Sequence, residues 1–200
     1  ADTASLVLVR IVFGLLMFWS TISDFYFGWV TELYAKPQFH FQYEWFQWVK
    51  PFPEEVMYII FGSQAVLSLM IALGLYYRVS TFLFFLSYTY IFLVERTTYN
   101  NHFYLICLLS FMLILAPLHR SWSLDVLRGS VEHTDSQPVL WLWIFRLHMG
   151  IVYFYGGLAK LDPDWLSGLA TRKLLGEANR GTILEPLIQY EFASYFYAWS

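Results

Sequence analysis

"VLWLWIFRLHMGIVYFYGGLA", residues 139–159, decides the fold class. It has the length that a helix needs to cross the hydrocarbon of a bilayer, about 20 residues. Its one formally charged side chain is Arg146. Lys160 and the aspartates of "KLDPDW", 160–165, end it. Four more runs of this kind lie upstream, at 4–23, 56–75, 79–95 and 102–118. A sixth starts near 184, "LEPLIQYEFASYFYAWS", and is shorter and more polar. The sequence therefore predicts an all-α integral membrane protein, a bundle of about five to six transmembrane helices.

Composition points the same way. The chain is 58% hydrophobic, 22% aromatic and 14% charged, with a mean hydropathy of +0.49. Soluble domains are about half apolar and a quarter charged. A net charge of -3 offers no basic excess for nucleic acid. The single cysteine, Cys107, lies within an apolar run, so the chain has no internal disulfide. The first residues show no initiator Met and no basic leader, and the sequence stops abruptly at "YAWS". Residues 1–200 read as one transmembrane domain, a fragment of a longer chain.

Between the first two spans, the connection 24–55 holds "FHFQYEWFQWVKPFP". Aromatic residues concentrate at membrane–water interfaces, which predicts a re-entrant or interfacial segment. The loops 76–78 and 96–101 are tight and make their spans antiparallel neighbours, while 119–138 reads as polar and solvated. With a cytoplasmic N-terminus, the inner loops hold Arg78, Arg120 and Arg128. The outer side then holds Lys36, Lys50, Arg96, Lys160, Arg172, Lys173 and Arg180. The positive-inside rule taken alone favours the reverse orientation.

Charged or ionisable residues within a span are costly unless they face protein or water, so each is a functional candidate. Arg10, Arg146 and His148 are of this kind. Their structural alternative is pairing with carboxylates or snorkelling to the interface. Arg146, Gly150, Tyr153, Gly157 and Lys160 are spaced 4, 3, 4 and 3 and share one helix face. The stripe presents a guanidinium, a phenol and an amine between glycines. The alternative reading is helix packing through those glycines. In "ERTTYNNHFY", 95–104, one asparagine suffices to cap a helix. A second asparagine with His102 exceeds that need, and a histidine facing the bundle could orient or polarise a ligand oxygen. The five histidines show no metal-ligand spacing, and no metal is expected.

Three stretches carry a family resemblance: Asn100–Asn101–His102, "WSLD" at 122–125, and "AKLDPDW" at 159–165. With their surroundings, 73–125 and 151–168, they resemble the membrane domain of vitamin K-dependent gamma-glutamyl carboxylase, the HTTM domain. The similarity runs from about residue 6 to 190. The resemblance implies an enzyme that deprotonates reduced vitamin K hydroquinone. Oxygen then adds, generating a strong base and finally the epoxide. That base removes a γ proton from a substrate Glu, and carbon dioxide adds. The lysine of the family's motif falls on Lys160 as the base, and the histidine that supports the ionised quinone falls on His102. Desolvation destabilises the charged form of an amine and makes it a better base near neutral pH, which suits an amine at the edge of an apolar span. Asn100, Tyr153 and Arg146 are expected to bind substrate, from the stripe and the triplet rather than from the family.

The implied partners are membrane lipids, an isoprenoid quinol and a Glu-containing peptide or protein; O2 and CO2 are co-substrates. The chain would sit in a bacterial inner membrane, or in the ER membrane if eukaryotic. It departs from the animal enzymes in having Ala159 before Lys160, where they have two lysines, and its aromatic loop looks bacterial in type. Two rival readings follow: a quinol epoxidase that does not carboxylate, and a non-enzymatic bundle that binds lipid or a partner.

Overall fold

The computed structural model describes residues 3–37, 39–167, 169 and 173. The predicted sixth segment from 184 lies outside them. The described residues form α1 (Ala4–Tyr26), α2 (Glu54–Leu73), α3 (Tyr77–Val94), α4 (Asn101–Leu115), the short α5 (Leu124–Leu127), α6 (Val139–Ala159) and the short α7 (Pro163–Leu166). A π-helical turn, Val30–Ala35, and a 3₁₀ turn, Arg96–Thr98, lie between them. No strand occurs among the described residues. Four of these helices, α1, α2, α3 and α6, are long and apolar enough to cross a membrane. The chain is an all-α membrane protein.

It divides into two compact units, Ala1–Leu142 and Trp143–Ser200. In the first, α1 packs on α2, α2 on α3, and α3 on α4. The closest approach is at Gly14. A Cβ there would lie 2.6 Å from both the Ala72 nitrogen and the Ser68 oxygen, so the backbones of α1 and α2 touch. Small residues permit this packing where lipid supplies no hydrophobic drive between helices. Below the contact, Val30, Tyr34, Val49, Met57, Phe61, Ile91 and Val94 form an apolar cluster.

Helix ends follow local chemistry. Glu54 and Glu55 open α2, where the helix dipole favours negative charge. Gly74 closes it in the left-handed conformation at φ +66°, with Leu75 N–H donating to the Met70 carbonyl. The predicted fourth span, 102–118, overran its helix. Ala116 precedes Pro117 and is extended, because proline disfavours the helical conformation in the residue before it. The helix is therefore 15 residues long.

The segment predicted to be solvated, 119–138, is instead partly built into the bundle: His119, Ser121, Ser123 and Asp125 are buried. The reason is Arg10. Its guanidinium, fully buried, reaches neither carboxylate nor solvent. It donates to the carbonyls of Leu118 (3.1 Å) and Trp122 (2.5 Å). The "WSLD" segment thus closes over the bundle end. Ser123 caps α5. Asp125 accepts from the backbone N–H groups of Tyr76 and Tyr77 at 2.9 Å each, satisfying donors that the start of α3 leaves free. The Asp125 amide donates to Gly74 (3.0 Å), and Arg128 pairs with its carboxylate (2.8 Å). His119 stacks on Tyr77, with ring centroids 4.8 Å apart. Burial, then Arg78 nearby, lowers its pKa to about 4.

The connection between α1 and α2 is half anchored, half exposed. Tyr34 and Val49 enter the cluster, whereas Phe39, Phe41, Trp45 and Trp48 stand out, Trp45 at 90% exposure. Tyr90 accepts from the Phe52 amide and donates to the Lys50 carbonyl, tying the segment to α3. Such outward rings on an anchored loop match the aromatic belts of membrane interfaces.

Candidate functional site

The Asn-Asn-His triplet sits where α3 hands over to α4. Glu95 builds the turn. Its carboxylate accepts from the Thr97 amide (2.9 Å) and hydroxyl (2.6 Å), and from His40 Nδ1 (3.0 Å) across 55 residues of sequence. Burial disfavours the charged carboxyl, but the Thr97 and His40 hydrogen bonds outweigh it and hold the group below its usual range. Arg96 N–H donates to the Phe41 carbonyl (2.7 Å), so the aromatic connection and the turn are joined.

On this base Asn100 caps α4. Its Oδ1 accepts from the His102 amide at 3.0 Å and lies 2.7 Å from His102 Nδ1. A backbone amide can only donate, so the shared atom is an acceptor, and Nδ1 carries the proton toward it. In a neutral imidazole this leaves Nε2 with its lone pair directed away from the cap. His102 is exposed, and Asn101 turns aside to accept from the Tyr99 hydroxyl at 3.0 Å. Asn100 therefore does two things that the sequence separated: it caps the helix and fixes the tautomer of its neighbour.

The second unit carries the helical stripe. Arg146 lies over the Trp143 ring at 5.6 Å. Tyr153 is 75% exposed, and Lys160 is exposed in the turn that follows α6, its amide donating to Gly157 (3.1 Å). A Cβ at Gly150, Gly156 or Gly157 would meet nothing within 4 Å among the described residues, so these glycines make no close helix contact there. Phe145 and His148 are the buried residues of α6. After Lys160, Asp162 caps α7, accepting from the Asp164 amide at 2.9 Å, with Pro163 at its first position. "LDPDW" is thus a stop-and-turn device that sets the amine at the end of the apolar helix.

The family model of the HTTM domain matches residues 1–200. The chain belongs to the HTTM domain family. No solved structure matches it. HTTM domains are associated with membrane proteins related to vitamin K-dependent carboxylase. Of the expected site residues, this HTTM domain holds Asn100 and His102 in contact in its first unit. Arg146, Tyr153 and Lys160 lie in its second. Sequence reading passed over the His40–Glu95 pair that supports the triplet. It also passed over two polar residues of α1 and α2, Asp24 and Gln64, whose presence in apolar helices was the available signal. Among the described residues no group of three His, Cys, Asp or Glu is placed to hold a metal.

Proposed function

We propose that this HTTM domain is a membrane enzyme of the vitamin K-dependent gamma-glutamyl carboxylase type. Reduced vitamin K hydroquinone, O2 and CO2 are its co-substrates, and a Glu side chain of a peptide or protein is its acceptor. The observation that carries the reading is the Asn100–His102 pair. It holds an exposed imidazole in one tautomer, with Nε2 available to accept from a phenolic O–H. When bound, the hydroquinone reacts with oxygen and supplies the strong base needed at a Glu γ carbon. The chain's own residues handle the earlier proton. Lys160 takes it from the hydroquinone, and His102 hydrogen-bonds the oxygen and stabilises its charge. Tyr153 and Arg146 bind the substrate's polar groups, and Asn100 keeps the imidazole oriented. Family membership supports the assignment of Lys160 and His102.

The test is epoxide formation from reduced vitamin K by full-length protein in detergent, with labelled CO2 and a Glu peptide. It compares wild type, Lys160→Ala and Asn100→Ala, each checked for intact helical content. Lys160→Ala should lose at least about 10²-fold in turnover, the scale of a missing general base. Asn100→Ala should lose roughly tenfold, through a mis-set tautomer and a cap weakened by ~1 kcal/mol. Epoxide without fixed label would narrow the function to quinol oxygenation. An inactive wild type, or a fully active Lys160→Ala, would overturn the reading in favour of a lipid- or partner-binding bundle.

A further inference from the structure

A cavity lies within the first unit, between α1, α2, α3 and the π-helical turn. It has about 60 Å³ of room for water-sized groups. At roughly 10–15 Å³ for each such group, that admits about four to six. Its walls are largely aromatic, with Trp29, Tyr34, Tyr88 and Phe103 among the rings. Its polar groups are unusual for a buried site. Asp24, half-buried, contributes a carboxylate, yet among the described residues no Lys, Arg or His lines the cavity. The ion pairs among the described residues are Lys36–Glu32, His40–Glu95, Arg128–Asp125 and His133–Asp135, none of which includes Asp24. Gln64 also lines it; that residue is 2% exposed and its side-chain nitrogen has no hydrogen-bond partner.

A carboxylate without a partner in a low-dielectric pocket is costly, and proteins normally provide a countercharge. Here the described residues offer none, and aromatic side chains make up much of the wall. That combination favours a weakly hydrated cation over a metal ion or a neutral group. We infer that the cavity is a binding site for a small organic ammonium group. Asp24 supplies the countercharge, Trp29, Tyr34 and Tyr88 the aromatic surroundings, and the Gln64 amide, turned oxygen inward, a dipole facing the charge that also accepts a hydrogen bond where the ammonium carries an N–H. The ammonium can come from a free alkylamine or from a choline or ethanolamine headgroup, since the cavity lies at the end of α1 that adjoins the aromatic connection. This site is independent of the quinol reading: it involves neither His102 nor Lys160, and its readout is binding.

The test is calorimetric titration of purified full-length protein in a sugar detergent with tetramethylammonium and with methylammonium. The uncharged analogue tert-butanol, sodium ion and a neutral hydroquinone are run alongside. Saturable ammonium binding is expected, weakened on the order of tenfold or more in Asp24→Asn, the scale of a lost charge-assisted contact. Trp29→Leu alters an exposed ring, and it should weaken binding several-fold even if Asp24→Asn proves poorly folded. Competition by short-chain phosphatidylcholine or phosphatidylethanolamine then assigns the headgroup as the source, and its absence assigns a free amine. No saturable ammonium binding, or equal binding of tert-butanol, would overturn the inference. So would displacement by equimolar sodium, or an affinity unchanged in both variants.

Discussion

Arg10 provides the sharpest test of how the bundle is closed. It lies inside the first span, fully buried, and its two closest acceptors are backbone carbonyls, of Leu118 and Trp122, in the segment that follows α4. Replacing it with methionine keeps the length and apolar stem and removes both donors. Each orphaned carbonyl costs about 1–3 kcal/mol, so the loss is ~2–6 kcal/mol before compensation. Relief of the guanidinium's own desolvation offsets part of this, because buried charges are often replaceable by apolar groups. We expect a net destabilisation of ~2–4 kcal/mol, or a fall in Tm of roughly 10 °C. Arg10→Lys should fall between, since an ammonium lacks the planar fork that reaches two carbonyls at once. Thermal unfolding in detergent, followed by far-UV circular dichroism, measures both. If Arg10→Met is as stable as wild type, the hydrogen bonds to Leu118 and Trp122 do not hold the closing segment, and the reasoning fails.

Two further outcomes follow from the same region. Gly74→Ala places a side chain at φ +66°, at about 1–2 kcal/mol. Its Cβ would also lie 2.4 Å from Ser123 Cβ and 2.5 Å from Arg10 Nη1, so the total should exceed ~2 kcal/mol. Gly62→Ala, with nothing within 4 Å, should be neutral or stabilising, and equal Tm values for the two variants would refute the crowding argument. His119, buried and held near a pKa of about 4, is neutral in the fold. Its folded pKa lies below the unfolded value of about 6.5. Stability is therefore full above pH 6.5 and declines as pH falls toward 4, by ~2 kcal/mol once solvent screening is discounted. His119→Gln should flatten the unfolding profile in that window, and an unchanged profile would show that another group governs it.

The spans were legible because length and apolarity leave few alternatives for a segment of about 20 residues; α6 occupies Val139–Ala159, the predicted range. The fourth boundary shifted because Pro117 acts on the residue before it, a local effect that hydropathy does not register. Arg10 was visible as an anomaly, but its partners were not. Every residue has a carbonyl, so acceptors 108 and 112 positions away leave no mark in the sequence. Asp125 is similar: "WSLD" was legible as a motif, while its part in starting α3 depends on a contact across 48 residues. At the triplet, residue types and spacing foretold a cap and a histidine, and the shared oxygen of Asn100 joined them. Along α6, periodicity placed Arg146, Tyr153 and Lys160 on one stripe. Periodicity fixes which groups share a face and carries no information about what covers it.

The shortness of α4 sets a depth. Fifteen residues at 1.5 Å each rise about 22 Å, some 8 Å less than the hydrocarbon core of a typical bilayer. Upright or tilted, the helix cannot bring both ends to the headgroups of a bilayer of that thickness. Either the membrane thins around it or one end stays submerged. A submerged amino-terminal end would put His102 within reach of a lipid-dissolved reactant that never enters water. The hydrogen bond from Asn100 would then be held in a medium where water offers little competition.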